Sequence, residues 1–317
     1  MARPLRITYP GAFYYVTSRG KERKAVFKSK PDREKFLEYL ESATWRYGAV
    51  MHAYCLMDNH YHLLVETPSG NLPQIMRHIN GAYTTYFNIN RARSGQLFQG
   101  RYKALLVDVD EYAKELSRYM HLNPVRAQMR SRPEGYAWSS YRSYIGKRKS
   151  PEWLKRDLIL DYFASTKPLA EKRYRGFVNE LLGVEYKSPL SGVVGSTLLG
   201  SQSFVDFIKA NYIYGQKPDE EIPALKELSD RPSIAQISAV VDTVSWKEAG
   251  LSRSVKMYLC RQYSGARLKE IGAFFGIGES GISQASRRIE ERMNSSRALK
   301  RKMKGVENKL FLSSMKP

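Results

Sequence analysis

Two hydrophobic periods take turns along roughly the first 145 positions, and the places where one gives way to the other mark the elements. Residues 13–18 are aromatic and β-branched, the signature of a strand. Residues 31–47 follow Ser29-Lys30 and set Phe36, Leu37, Leu40, Ala43 and Thr44 on one helical face. Residues 49–57 and 60–67 read as strands joined by a tight turn at Asp58-Asn59. Residues 72–91 return to helical spacing through Ile75, Ile79, Ala82, Tyr83 and Tyr86. A last strand is expected at 101–107, after which Asp110 is expected to cap a helix carrying Tyr112, Leu116 and Tyr119. The order β-α-β-β-α-β-α predicts an α+β fold, a ferredoxin-like (RRM-like) sandwich with one extra helix laid on the sheet.

The pattern changes near residue 150, so the first domain is expected to span 1–149. Residues 150–214 read as a helical segment, broken by a Gly/Ser-rich stretch at 188–203 and resumed by an apolar helix at 204–212. Residues 215–232 hold three prolines and a cluster of acids, which predicts a linker. Residues 233–294 form a third unit. An amphipathic helix at 253–263 turns Val255, Tyr258, Leu259 and Tyr263 inward. Helices at 268–275 and 280–293 then flank a Gly276-Ile277-Gly278 turn, with Ile271, Phe275, Ile277 and Ile282 as the apolar set. This spacing predicts a helix-turn-helix that presents Ser280, Ser283, Gln284, Arg287 and Arg288. Residues 295–317 are basic with little periodicity, and disorder is expected there.

Charge narrows the class of partner. Lys and Arg number 52 against 31 Asp and Glu, a formal net charge of +21, and the pI is near 9.8. So lopsided a balance points to a polyanion, because neutralising phosphates releases condensed counterions. No apolar run approaches membrane-spanning length and the N-terminus lacks a signal-like core, so no membrane partner and a cytoplasmic location are expected. Cys55 and Cys260 lie far apart inside apolar runs and read as core residues rather than a disulfide or metal pair.

The candidate chemistry begins at His60-Tyr61-His62. On a strand, residues i and i+2 face one side, so both imidazoles project together while Tyr61 points away. Two such imidazoles are either half of a metal site or a polar surface pair. Tyr119 and Asn123 are four apart and share a helical face, so an amide and a phenol lie one turn from each other. Asn123 precedes Pro124, which disfavours helical geometry and predicts that the helix ends there. His52 and His78 read as structural or surface residues, and His121 lies close enough to the site for DNA contact.

Three segments, HYHLL at 60–64, FQGRYK at 98–103 and RYMHLNPVRA at 118–127, together resemble the single-tyrosine HUH transposases, in particular the REP-associated tyrosine transposases. The resemblance spans roughly residues 5–145. It implies metal ligation by His60, His62 and Asn123, a divalent ion (Mg²⁺ or Mn²⁺), and Tyr119 as nucleophile. The reaction implied is cleavage and transfer of single-stranded or hairpin DNA through a 5′-phosphotyrosine. It also implies that Arg101, Lys103 and Arg126 grip phosphates. Tyr61 departs from the usual hydrophobe between the histidines by its hydroxyl. Residues 253–289 are similar to the C-terminal DNA-binding domain of the replication initiator DnaA, which assigns Ser283, Gln284, Arg287 and Arg288 to DNA. A non-catalytic DNA-binding regulator and a replication or conjugation nickase are the alternatives. The intact His60, His62, Tyr119 and Asn123 set speaks against the first, and the missing helicase against the second. Monomer and dimer both remain open.

Overall fold

A computed structural model describes residues 6–213 and 232–313, apart from Lys247, Ala249 and Gly265. The expected linker at 215–232 lies almost wholly outside the described residues. The described residues divide into two compact units, one over 6–207 and the other over 208–313.

The first unit is built on a sheet of order β2-β3-β1-β4-β5. Its strands are β1 (Ala12–Arg19), β2 (Val50–Leu56), β3 (His60–Thr67), β4 (Lys103–Val107) and β5 (Leu198–Leu199). The first four are antiparallel, in the order the βαββαβ reading requires, whereas β5 adds to β4 in parallel. Helix α1 (Lys30–Tyr47) starts on a capping box in which the Ser29 hydroxyl accepts from Asp32 N and the Asp32 carboxylate accepts from Ser29 N. It stops at Gly48, which takes the left-handed conformation (φ 65°) that a side chain disfavours. Helix α2 (Leu72–Ile89) buries Ile75, Met76, Ile79, Tyr83 and Phe87. Tyr61, projecting from the β3 face opposite the histidines, meets this layer. Its ring lies 4.8 Å from that of Phe36 in α1, and its hydroxyl donates to Asn80 of α2 at 2.6 Å. The hydroxyl that departs from the usual motif is therefore satisfied.

The other sheet face carries α3 (Val109–Arg126). Its N-cap is Asp108, not Asp110, and the Asp108 carboxylate is engaged elsewhere, accepting from Ser201 N and Oγ. The helix also does not end at Asn123. Pro124 sits buried inside it, and Arg126 is its last residue. A proline so near the end removes one helical hydrogen bond without having to redirect the chain, so Tyr119 and Asn123 keep their shared face.

The middle segment belongs to this first unit, so the expected boundary at 149/150 falls inside a single core. Helices α4 (Tyr141–Tyr144), α5 (Asp157–Leu160) and α6 (Lys167–Asn179) bring Tyr141, Tyr144, Ile159, Leu160, Tyr174 and Val178 against Leu116 and Met120 of α3. The Gly/Ser-rich stretch contains β5, and Leu106 N and Asp108 N donate to Thr197 O and Leu199 O, each at 2.8 Å. The unit closes on α7 (Gln202–Ile208).

In the second unit α8 (Ile234–Asp242), α9 (Leu251–Leu259), α10 (Leu268–Phe275) and α11 (Glu279–Ser295) pack around Ile237, Val241, Val255, Leu259, Ile271, Ile282 and Ile289. The turn between α10 and α11 is tight. A β-carbon on Gly272 would come within 2.5 Å of the Ile277 carbonyl oxygen, and Gly276 has φ 65°. The expectation of disorder beyond 295 is corrected, because α12 (Arg297–Ser313) is helical and buries Leu299, Met303, Val306 and Leu310. Those residues recur at steps of four, three and four, which is a helical stripe concealed among cations.

Candidate active site

Strand register assembles the site. His60 stands opposite Arg19, and His62 opposite Thr17, which in turn faces Lys103 on β4. Directly paired residues of antiparallel strands share a face, so the row from His62 through Thr17 to Lys103 lies under α3. The two imidazole rings are 4.8 Å apart and nearly perpendicular. Tyr119 of α3 sets its ring 6.3 Å from that of His62, edge to face.

Each histidine is oriented by one neighbour. Asn59 Oδ1 lies 2.6 Å from His60 Nδ1, while Asn59 Nδ2 donates to Arg23 O at 3.0 Å. The second bond fixes the amide, so the His60 nitrogen that meets Oδ1 is the donor and Nε2 keeps its lone pair. Tyr15 places its hydroxyl 2.6 Å from His62 Nδ1 and stacks on the same ring. His62 Nε2 is buried with no hydrogen-bond partner.

Both imidazoles are held neutral. Burial, then the Arg19 guanidinium, lowers the His60 pKa to about 4 against the opposing pull of Asp58. Burial, followed by His60 and Arg19, pushes His62 well below its ordinary value. A cation requires neutral imidazoles with free lone pairs; His60 offers Nε2, and His62 offers Nε2 in the tautomer whose Nδ1–H donates to the Tyr15 hydroxyl. Asn123 stands one turn beyond Tyr119, and its amide nitrogen is buried without a partner. Two imidazole nitrogens, with the amide oxygen of Asn123 as a third ligand, would make a nitrogen/oxygen donor set that suits Mg²⁺ or Mn²⁺ and leaves positions for phosphate oxygens. The residues present therefore fit a divalent ion. Among the described residues no cluster of three His, Cys, Asp or Glu offers another such place.

Arg126 completes the surroundings. Its guanidinium lies 5.3 Å from the centre of the Tyr119 ring and 5.2 Å from that of Tyr186. Lys103 is exposed on the histidine face. Arg101 is exposed in the turn before β4, outside the row that holds the histidines. His121 is corrected. It is fully buried, its Nδ1 lies 2.7 Å from Tyr174 Oη and its Nε2 2.7 Å from Ser140 Oγ, so it points into the core and cannot reach DNA. In the second unit Gln284, Arg287 and Arg288 are exposed and Ser283 is half-buried.

Sequence reasoning missed Tyr15, Arg19, Asn59 and Tyr186. The first two act through strand pairing, which one sequence does not display. Asn59 stood in view as a turn residue, and its adjacency to His60 was the available signal.

Residues 10–123 match the family described as transposase, IS200-like. Two solved structures are similar to this chain. One is a REP-associated tyrosine transposase bound to a REP hairpin, at 13% identity and TM-score 0.41, covering 50% of this chain and 93% of that one. The other is a candidate transposase from Deinococcus radiodurans r1, at 19% identity and TM-score 0.27, covering 41% and 92%. No curated protein matches the chain.

Proposed function

We propose, from the match of residues 10–123 to the IS200-like transposase family, that the chain cleaves and rejoins single-stranded or hairpin DNA, with Tyr119 as the nucleophile. The Tyr119 hydroxyl oxygen attacks phosphorus and loses its proton. The bond from phosphorus to O3′ breaks, and the departing O3′ takes up a proton. The product is a 5′-phosphotyrosine and a free 3′-OH. The transferred strand keeps its phosphoester energy in that linkage, so attack by another 3′-OH re-forms the backbone without a nucleotide triphosphate.

His60, His62 and Asn123 would hold a divalent ion, which would supply positive charge to the reacting phosphate. An ordinary phenol has a pKa of about 10, so attack at neutral pH needs positive charge nearby. The Arg126 guanidinium beside the Tyr119 ring supplies part of it. Arg19, Lys103 and Arg101 attract the strand. The observation that carries this reading is His62 Nε2, buried and unpartnered beside the Tyr119 ring. We further assign α10 and α11 as a DnaA-like helix-turn-helix that reads adjoining duplex through Ser283, Gln284, Arg287 and Arg288.

The test is a labelled single-stranded oligonucleotide resolved on a denaturing gel. Wild type should yield a protein-linked band with Mn²⁺ or Mg²⁺. Tyr119→Phe, His60→Ala, His62→Ala and EDTA should each abolish it. A band that persists in Tyr119→Phe assigns the wrong nucleophile, and one that persists in EDTA removes the metal.

A further inference from the structure

Phosphate-driven binding needs cations that are not already neutralised, because only those release counterions. The helix assigned to reading DNA, α11, is poorly supplied with them. Its three arginines are balanced by Glu279, Glu290 and Glu291. Arg287 pairs with Glu291 at 3.0 Å, and Arg292 holds both carboxylate oxygens of Glu248 at 2.7 and 2.8 Å. Among the described residues only Arg288 of the three lacks an ion-pair partner.

The following helix has the opposite character. Along 297–313 stand six cations and a single acid, Glu307, which accepts a hydrogen bond from the Tyr263 hydroxyl at 2.8 Å. Leu299, Met303, Val306 and Leu310 are buried in the unit's core. Lys302 is turned inward too, over the Trp246 ring at 4.8 Å. Arg297, Lys300, Arg301 and Lys304 are exposed, and among the described residues none has an ion-pair partner. At 3.6 residues per turn these four fall within an arc of roughly 100°, turned away from the apolar stripe, while the exposed Lys309 lies about 80° outside that arc. A solubilising surface needs net charge but no such sorting onto one arc. A membrane-surface helix needs its apolar face free for lipid, and here that face is already occupied.

From this sorting we infer that α12 is a second DNA-contacting element: Arg297, Lys300, Arg301 and Lys304 seat it on the phosphate backbone of duplex DNA. α12 thus supplies the charge that α11 lacks, a division of labour between positioning by phosphate contacts and reading by base contacts. The inference rests on the DNA-handling reading above.

The test is fluorescence anisotropy of full-length protein on a labelled DNA hairpin across a salt series. It compares wild type with Arg297→Gln/Lys300→Gln/Arg301→Gln/Lys304→Gln. Glutamine keeps the helix propensity, and far-ultraviolet circular dichroism checks the fold. The slope of log affinity against log salt should flatten by roughly 3 to 4, at about 0.9 per lost phosphate contact. A second variant exchanging Arg and Lys at the same four positions should keep the wild-type slope. Arg287→Gln/Arg288→Gln should flatten it by only about 1 to 2. An unchanged slope in the quadruple glutamine variant overturns the inference, as does a loss confined to vesicles of anionic lipid. The covalent band on single-stranded DNA is scored alongside. Its absence in every protein would fault the catalytic reading while leaving the slope comparison intact.

Discussion

Tyr15→Phe removes one atom from the deepest contact of the site. The Tyr15 hydroxyl is buried and lies 2.6 Å from His62 Nδ1. Phenylalanine preserves the ring that stacks on His62 at 5.7 Å and meets Tyr119 at 6.5 Å, so packing changes little. What is lost is the partner of an imidazole whose other nitrogen is already unpartnered. Leaving a buried polar atom unmatched costs about 1–3 kcal/mol of folding stability. The second expectation concerns the ion. A second group that fixes the ring and tautomer of a ligating histidine is worth about 10–100-fold in metal affinity, or roughly 1.4–2.7 kcal/mol. Calorimetric titration of Mn²⁺ into wild type and variant measures this without reference to cleavage, and urea denaturation of the metal-free proteins measures the stability cost separately. Both should move. A Mn²⁺ dissociation constant within twofold of wild type, with stability lowered, would make Tyr15 a core residue that merely touches His62.

Two further outcomes bear on the fold. Gly272→Ala should destabilise the second unit by about 1–3 kcal/mol, because its β-carbon meets the Ile277 carbonyl at 2.5 Å; a melting temperature at or above wild type would contradict the tight turn. His121→Leu should cost only about 1 kcal/mol in denaturant unfolding, since Ser140 Oγ retains Tyr54 O and Tyr174 Oη retains Ser117 Oγ. Strand binding should be untouched by that change, and weakened DNA affinity in a stable variant would place His121 at the DNA after all.

What could be read from the sequence follows from how each feature is encoded. The strands and helices through α3 each carry their own apolar period, and the H-x-H spacing fixes a shared face for His60 and His62 whatever lies around them. Features that depend on pairing were not legible. Arg19 meets His60, and Thr17 joins His62 to Lys103, only because β1 lies between β3 and β4. β5 is two residues long, too short for any period, and is recognised by the backbone of β4 rather than by its side chains. The α12 stripe of Leu299, Met303, Val306 and Leu310 was present in the sequence but outnumbered by charge. Pro124 shows a local rule yielding to packing, because the residue is buried in the last turn of a helix already anchored by Leu116 and Met120.

The parallel addition of Leu198–Leu199 to β4 has a consequence for how the molecule can be divided. A fragment stopped at the end of the matched family segment, or at residue 149, would keep His60, His62, Tyr119 and Asn123 yet leave β4 with a bare hydrogen-bonding edge. Such edges recruit other strands and lead to aggregation. It would also strip Tyr174 and Val178 from the core that backs α3. The smallest fragment that could be handled as a soluble catalyst should therefore extend to about Phe207, where the first compact unit ends. The same closure bears on ancestry: an insertion or a swap of tails between relatives can be tolerated after that point far more readily than anywhere between 130 and 200, because upstream of it the later sequence is part of the sheet.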